Sequence, residues 1–278
     1  MPDGNWYEQM YGQRDARLLP LEPGHVQFLA DPAAPQSGNL LDAGCGTGNF
    51  LLAAKAAGFE VTGTELDPAA IRFIQSELKI DDVFPLTITE FARTHSERKF
   101  STITFFEVLE HQADPVSFLC AVKSCLRPRA YVALSVPNRN RWLTAPDVLD
   151  YPPNHFLRWS PLSLRNFLTA QGFELLALRE QPIGLGYAAQ MINSFFRTGL
   201  SRTVAGSVPP AFREVMQMAP ADAAVTLAAK PTARQRIFLV LSLLKRSACY
   251  PLALFVWPVM RLMRRKGLYL YALARRMD

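Results

Sequence analysis

The chain has 278 residues, which is enough for one substantial hydrophobic core and an additional segment. A hydrophobic content of 49% with 19% charged residues excludes a disordered chain. The four cysteines form no CxxC pair and have no metal-finger spacing, so we expect reduced thiols. The first residues contain no apolar signal-peptide core, which predicts a cytoplasmic protein.

The formal net charge of +6 is unevenly distributed along the chain. Residues 230–278 carry eleven Lys and Arg against the single acid Asp278, which leaves the first 229 residues slightly acidic. Because the basic residues belong to the tail, the larger part of the chain gives no support for a nucleic-acid partner.

Strands and helices alternate after an Ala/Pro-rich linker at 29–38, the pattern of a doubly wound α/β domain. Strands are predicted at 39–43, 60–65, 84–88, 101–106, 130–136, 173–180 and 268–273. Helices are predicted at 47–57, from Pro68, from Asp114-Pro115 to Leu126 with Pro128 as the stop, and from Ser160 to Gln171. More than 80 residues separate the last two strands, which is too long for a loop, so this segment has structure of its own.

A glycine-rich turn follows the first strand in the stretch LLDAGCGTGNF. Its glycines, Gly44, Gly46 and Gly48, have the spacing G-x-G-x-G, whereas a dinucleotide fingerprint is G-x-G-x-x-G. No Gly-Lys-Ser/Thr follows, which excludes a Walker A loop. The adjacent carboxylate of Asp42 favours a cationic amino-acid ligand over a pyrophosphate. Glu65 ends the second strand 21 residues after Gly44, where a carboxylate can accept both ribose hydroxyls.

These motifs resemble those of a known enzyme family. LLDAGCGTG and VTGTELDP look like the first two motifs of class I S-adenosylmethionine-dependent methyltransferases. KFSTITFFEVLEHQADPVSFLCAVKSCLRPRAYVALSVPN and DYPPNHFLRWSPLSLRNFLTAQGFE resemble the ubiquinone-biosynthesis-type (methyltransferase domain 11/23-like) group. The resemblance covers about residues 35 to 185 and the last strand. It implies a Rossmann-like sheet of seven strands, the last antiparallel, with a helical insert before that last strand.

The resemblance also implies the residues that bind S-adenosylmethionine. The glycine turn would line the methionine portion, the second strand would supply the ribose ligand, and residues after the third and fourth strands would flank the adenine and close the site. In chain order the implied residues are Asp42, Gly44, Cys45, Gly46, Gly48, Glu65, Leu66, Thr89 or Glu90, Phe106 and Glu107. One departure concerns a turn away from the cofactor, where the usual Pro-Gly-Gly is Pro128-Arg129-Ala130.

Two histidines are candidates for the chemistry. His111, in FEVLEH, follows the fourth strand at the carboxyl edge, where open α/β sheets bind ligands, and an imidazole there can act as a general base. A purely structural role for His111 is the alternative. His155, in the loop YPPNHFLRW, is predicted to shape the acceptor pocket. His25 and His95 are predicted to be surface or helix residues without a role.

In the ubiquinone-type enzymes a matching Glu-x-x-Glu-His set is associated with a divalent metal. By resemblance, Glu107, Glu110 and His111 would surround Mg²⁺. The same residues occur in many relatives where they are structural, so a site without metal is favoured.

The acceptor is predicted to be a small or lipid-like molecule that is methylated at oxygen. Methyltransferases acting on base amino groups carry an Asn/Asp-Pro-Pro-aromatic tetrad after the fourth strand, where this chain has Phe-Glu-Val-Leu. The alternative is a non-catalytic, S-adenosylmethionine-binding interaction protein docked on a membrane.

Two apolar runs with basic edges lie before the last strand, at 237–244 and 248–260. Both are too short to span a bilayer. Apolar helices edged by Arg and Lys suit an in-plane membrane contact through residues 234–266, on the inner face of the membrane; packing on the sheet or a dimer face is the alternative.

The predicted organisation has three parts. An N-terminal segment at 1–38 covers the cofactor site. Residues 39–182 and 267–278 form the methyltransferase domain, and 183–266 form a helical insert that serves as a lid and a membrane contact.

Overall fold

A computed structural model of the chain describes residues 21–141, 152, 154–189, 191–192, 249–263 and 266–278. The predictions for residues 1–20 and for the apolar run 237–244 lie outside these ranges. The chain divides into two compact units. The larger unit contains the described residues up to Gln181 together with Leu268–Asp278, and the smaller unit contains those between Pro182 and Gly267.

The larger unit is built on a seven-stranded sheet with the strand order β3-β2-β1-β4-β5-β7-β6. The strands are β1 (Gly38–Ala43), β2 (Phe59–Thr64), β3 (Val83–Phe84), β4 (Phe100–Phe106), β5 (Leu126–Pro137), β6 (Phe173–Pro182) and β7 (Lys266–Arg276). Strands β1 to β5 pair in parallel, and β7 is antiparallel to β5. The predicted fold class is confirmed.

Six helices of the larger unit connect or flank these strands, most of them with a polar cap. They are α1 (Pro23–Ala30), α2 (Asn49–Ala56), α3 (Pro68–Ser76), α4 (Ile88–Thr94), α5 (Pro115–Cys125) and α6 (Pro161–Ala170). Asp67, Asp114 and Ser160 each accept a backbone N–H as the residue before the helix, and proline follows each at the first helical position. In the smaller unit, residues 185–189 and 249–262 are helical.

The hydrophobic core lies on both faces of the sheet. Leu40 and Leu41, adjacent on β1, are both fully buried, but Leu40 packs with Phe50 on one face and Leu41 with Phe105 on the other. Because both faces are covered, the apolar residues of β1 and β4 are buried whichever face of the sheet they point to.

The third strand was predicted over 84–88, and this boundary is wrong. The strand ends at Phe84, and Ile88 begins helix α4, which the sequence analysis did not predict. The Thr87 hydroxyl accepts a hydrogen bond from the Glu90 N–H, and the Glu90 carboxylate accepts one from the Thr87 N–H. This capping box sets the helix start within a short apolar run that looks like a strand.

The fifth strand begins at Leu126, four residues before its predicted start, so Pro128 lies within the strand and does not stop the preceding helix. The extension contains a register shift, since Leu126 pairs with Phe100 but Tyr131 pairs with Thr102. Arg129 lies in this irregular stretch with φ 59°, a left-handed conformation, at the position where the resembling family has glycine.

Replacing Arg129 by glycine is expected to stabilise the larger unit. A left-handed non-glycine residue costs ~1–2 kcal/mol, of which the extra chain entropy of glycine offsets ~0.5–1 kcal/mol. Arg129→Gly is therefore expected to raise the free energy of unfolding by ~0.5–1 kcal/mol in urea denaturation. Arg129→Ala, which removes the charge but retains a Cβ, serves as the control, and equal stability of the two variants would contradict a backbone origin.

Candidate functional site

The glycine turn is held against the end of β2. The N–H groups of Gly44 and Cys45 donate to the Thr64 carbonyl oxygen at 2.8 and 3.0 Å, and the Gly46 N–H donates to Oε2 of Glu65 at 2.8 Å. Because β1 and β2 are parallel, both end at the same edge of the sheet, which makes these bonds possible.

The three glycines of the turn have φ values of 79°, 53° and 77°, in the left-handed region. A Cβ at Gly44 would lie 2.8 Å from Cγ2 of Val108, and a Cβ at Gly48 would lie 2.7 Å from Cγ1 of Ile74. The turn therefore needs glycine both for its backbone conformation and for its close packing.

Glu65 is held by the main chain. Besides Gly46, the N–H groups of Leu66 and Asp67 donate to its Oε1 at 2.7 and 3.0 Å. A carboxylate has about four acceptor positions, so these three bonds leave capacity for a hydroxyl donor. The predicted ribose contact is compatible with this arrangement and stays a prediction. Leu66, predicted to flank the adenine, is 43% exposed.

Asp42 is a buried carboxyl at the end of β1. Its Oδ1 accepts a hydrogen bond from the Thr104 hydroxyl at 2.7 Å. Burial raises the pKa of Asp42 to about 7, although the Thr104 hydrogen bond acts in the opposite direction. Cys45 is also buried, and burial raises the pKa of its thiol well above the usual value, so it is not an activated nucleophile.

Phe106 ends β4 beside the glycine turn, and Glu107 follows it. Phe106 is buried, and Glu107 has φ 53°, an uncommon conformation for a residue other than glycine. The Glu107 N–H donates to the Ser135 carbonyl oxygen, and its carboxylate accepts the Ser135 hydroxyl at 2.6 Å. Burial raises the pKa of Glu107, and the negative charge of the nearby Glu110 raises it further.

His25 was predicted to be a surface or helix residue without a role; it lies in helix α1, and its ring packs among aromatic side chains. Its ring stacks on Phe50 with centroids 4.9 Å apart and meets the edge of Phe106 at 4.7 Å. Its Nδ1 accepts the Glu22 N–H, and burial lowers the pKa of His25 to about 4, so the ring is neutral. The sequence does signal the hydrogen bond between Glu22 and His25, because Glu22-Pro23 is followed by a polar residue at the third helical position, as in a capping box.

Thr89 and Glu90, predicted to lie near the adenine, are exposed residues in the first turn of α4. The Glu90 carboxylate is bonded to the N–H and the hydroxyl of Thr87. A contact of Thr89 or Glu90 with the adenine stays a prediction.

A cluster of titratable groups lies after β4. Glu110 is 1% exposed, and within the described ranges no hydrogen-bond donor reaches either of its carboxylate oxygens. Its carbonyl oxygen accepts the N–H groups of Phe156 and Leu157, which brings the loop of His155 to this position. The rings of His111 and His155 lie 4.9 Å apart. Burial raises the pKa of Glu110 to about 8.

The hydrogen bond of His111 determines its tautomer. Nδ1 lies 2.6 Å from the carbonyl oxygen of Asn154, which can only accept, so Nδ1 carries the hydrogen. Nε2 of the neutral ring is then the basic nitrogen, and it lies 3.9 Å from Oε1 of Glu110.

The potential metal ligands that lie together in the structure are not the set Glu107, Glu110 and His111 implied by the resemblance. One ligand atom each from Glu110, His111 and His155 lies within 4.8 Å of the others, whereas the Glu107 carboxylate is bonded to Ser135. Two imidazoles and one carboxylate suit a transition metal better than Mg²⁺, which prefers oxygen ligands.

Residues 13–178 match the family model described as a methyltransferase domain, which is more than half of the chain. The chain belongs to this methyltransferase family. Curated relatives named ubiquinone biosynthesis O-methyltransferase include that of Hydrogenovibrio crunogenus, 29% identical over 128 residues, or 44% of this chain and 52% of the relative. The chain thus spans about half the length of the curated relatives it matches. The predicted family, class I S-adenosylmethionine-dependent methyltransferases, is confirmed.

Solved structures support the fold alone. A structure described as a sarcosine dimethylglycine methyltransferase from Galdieria sulphuraria has a TM-score of 0.55 at 14% identity, covering 99% of this chain and 98% of that one. The cyclase SpnF has a TM-score of 0.53, also at 14% identity, covering 91% of this chain and 80% of that one. Because a cyclase has the same fold, the acceptor and the reaction have to be argued from the site residues.

The ionisation of Asp42 is expected to control cofactor affinity. The ammonium of the methionine portion is predicted to lie at Asp42, and this carboxyl, whose pKa is raised to about 7, holds its proton below that pH. The affinity for S-adenosylhomocysteine is therefore expected to rise ~10-fold between pH 6 and pH 8, because the ionised fraction rises by that factor. Isothermal titration calorimetry across this range measures it.

Two variants control this prediction. Asp42→Asn is expected to bind S-adenosylhomocysteine weakly, with an affinity that does not depend on pH in this range. Thr104→Val removes the hydrogen bond that favours the carboxylate and should move the transition to higher pH. A transition unchanged in Asp42→Asn would assign it to another group.

Proposed function

We propose that the chain transfers a methyl group from S-adenosylmethionine to an oxygen atom of a small or lipid-like acceptor. The observation that carries this proposal is the group formed by Glu110 and His111, just after β4, with His155 from the loop before α6. The names of the curated relatives support oxygen as the methylated atom.

The reaction is an in-line displacement. A lone pair of the acceptor oxygen attacks the methyl carbon, the carbon–sulfur bond breaks, and its electron pair stays on sulfur to give S-adenosylhomocysteine. Placing the two reactants in line supplies much of the rate. The proton of the acceptor hydroxyl also has to leave, which a positioned base accelerates.

His111 is the proposed base. The Asn154 carbonyl oxygen holds the hydrogen on Nδ1, so Nε2 is available to take the acceptor proton. The His111 side chain is 44% exposed, which makes it accessible to an acceptor. His155 lies edge to face with it and would shape the acceptor pocket.

A divalent ion is a second way to activate the acceptor hydroxyl, since a Lewis acid lowers the pKa of a bound hydroxyl. Glu110, whose carboxylate oxygens are buried, would hold such an ion with His111 and His155. Because the Asn154 hydrogen bond already leaves His111 Nε2 as a basic nitrogen, we propose proton transfer to His111 without metal.

The variant His111→Asn tests the base. The asparagine side-chain N–H can replace the Nδ1 donor to Asn154, but the variant has no basic nitrogen. A steady-state assay of S-adenosylhomocysteine release with a panel of phenols and alcohols is expected to show kcat lowered ~100-fold or more. Cofactor affinity should be unchanged, and a kcat within twofold of the parent would reject His111 as the base.

Removal of metal is a separate test of the same site. Dialysis against a chelator is expected to leave kcat unchanged. The proposal would be replaced by a metal at this cluster if the chelator abolished activity, one divalent ion restored it in the parent, and the same ion did not restore it in Glu110→Gln.

We further propose that the protein docks on a membrane through its smaller unit. Residues 249–262 form a helix whose Cys249, Ala253 and Met260 are buried, and whose Trp257 Nε1–H donates to the Ile183 carbonyl oxygen. The opposite side is an apolar helix face, made of the exposed residues Tyr250, Leu252, Leu254, Phe255, Val259 and Leu262.

Charge supports a lipid surface as the partner of the apolar helix face. Arg261 is the one charged residue at 249–262, and the sequence has Lys245 and Arg246 before this helix and Arg264 to Lys266 after it. Basic residues around an apolar face favour an anionic membrane interface. Within the described ranges no helix is both long and apolar enough to cross a bilayer.

Sedimentation with phosphatidylglycerol vesicles at low salt tests the docking. Phe255 is 79% exposed and Leu262 85% exposed, and burying each in lipid contributes ~1.5–3 kcal/mol. Phe255→Asp with Leu262→Asp is expected to lower the partition coefficient ~100-fold or more. Leu162→Asp, at a 66% exposed leucine of α6, is the control and should bind like the parent. No binding by the parent would reject the docking surface.

A further inference from the structure

A cavity lies at the amino edge of the sheet, opposite to the glycine turn. It has a volume of about 540 Å³ and is lined by residues that precede β4, end α5, begin β5 and end β7. Four of its lining side chains are cationic: Lys99, Lys123, Arg127 and Arg276. We call it the basic cavity.

Main-chain carbonyl groups hold three of these cations in place. Lys99 Nζ donates to the Ser124 carbonyl oxygen at 2.6 Å, and Arg127 Nε donates to the Lys99 carbonyl oxygen at 3.3 Å. Nη1 of Arg276 donates to the carbonyl oxygens of Lys123 and Leu126, both at 2.9 Å. These bonds gather the charges around the end of α5.

The positive charge of the basic cavity exceeds the negative charge that the described residues place beside it. Over the described part of the chain, the carboxylate in salt bridges with these cations is Asp278, which lies 3.2 Å from Lys123 and 3.2 Å from Arg276. The carboxyl end of a helix adds about half a negative charge. Capping of α5 therefore explains part of the cluster, and among the described residues no carboxylate forms a salt bridge with Lys99 or Arg127.

We propose that the basic cavity binds a small phosphate-bearing anion. Guanidinium groups bind phosphate oxygens through paired N–H donors, and ammonium groups add point charges. The volume lies within the roughly 300–1,000 Å³ typical of small-molecule sites. This site is separate from the proposed methyl-transfer site, because the two lie at opposite edges of the sheet.

Calorimetric titration of the full chain with pyrophosphate tests the proposal, against sodium chloride at matched ionic strength. We expect saturable binding at submillimolar pyrophosphate. Lys99→Gln with Arg127→Gln should weaken it at least tenfold. Arg165→Gln, at an exposed arginine of α6, is the control and should bind like the parent.

A second readout uses the unmodified protein. Cys120 lines the basic cavity and is exposed, whereas Cys45, Cys125 and Cys249 are buried. Bound pyrophosphate is expected to slow the reaction of Cys120 with N-ethylmaleimide, and this measurement is independent of how the variants fold.

A lipid headgroup could supply the same phosphate chemistry. If the protein does not bind pyrophosphate but binds phosphatidic acid vesicles, and Lys99→Gln with Arg127→Gln weakens that binding, the lipid headgroup is the source of the phosphate. The proposal would be overturned if neither pyrophosphate nor vesicle binding depended on these residues and Cys120 were not protected. None of these readouts requires methyl transfer, so their failure is distinguishable from failure of the proposed function.

Discussion

The short hydrogen bonds between the glycine turn and the end of β2 are the constraint on which the candidate site depends. The Thr64 carbonyl oxygen and the Glu65 carboxylate hold three consecutive N–H groups of the turn. No side chain fits at Gly44 or Gly48, because Val108 and Ile74 occupy the space. The turn is therefore a rigid main-chain cradle whose position relative to β2 is set before any ligand arrives.

The edge that carries this cradle is acidic. Burial raises the pKa values of Asp42, Glu107 and Glu110. Buried carboxyl groups of this kind favour a ligand that brings positive charge. The sulfonium and ammonium of S-adenosylmethionine do so. The opposite edge has the reverse character, with four cations around one carboxylate, so the two edges of one sheet favour ligands of opposite charge.

Much of the fold followed from local patterns. Buried apolar runs predicted the central strands, and Asp114 and Ser160, each followed by proline, predicted the helix starts that the structure has. The errors occurred where local signals compete. The segment after Phe84 looked like a strand, but the capping box of Thr87 and Glu90 starts a helix there. Pro128 looked like a stop, but it lies in an irregular part of β5 that no local rule predicts.

The sequence by itself determined the α/β class from the alternation of strands and helices, and the positions of Asp42, the glycines and Glu65 from short-range spacing along one strand–turn–helix unit. The seven-stranded sheet and the family followed from the resemblance of its motifs to those of a known family. Only the tertiary structure brought His25 between Phe50 and Phe106, and His155 beside His111. The partners in these contacts are far apart in the chain, and they meet because helix α1 and the loop before α6 pack onto the sheet edge. The basic cavity has the same origin, since its four cations come from three separate segments. Spacing along the chain encodes main-chain geometry, whereas packing decides which distant side chains become neighbours.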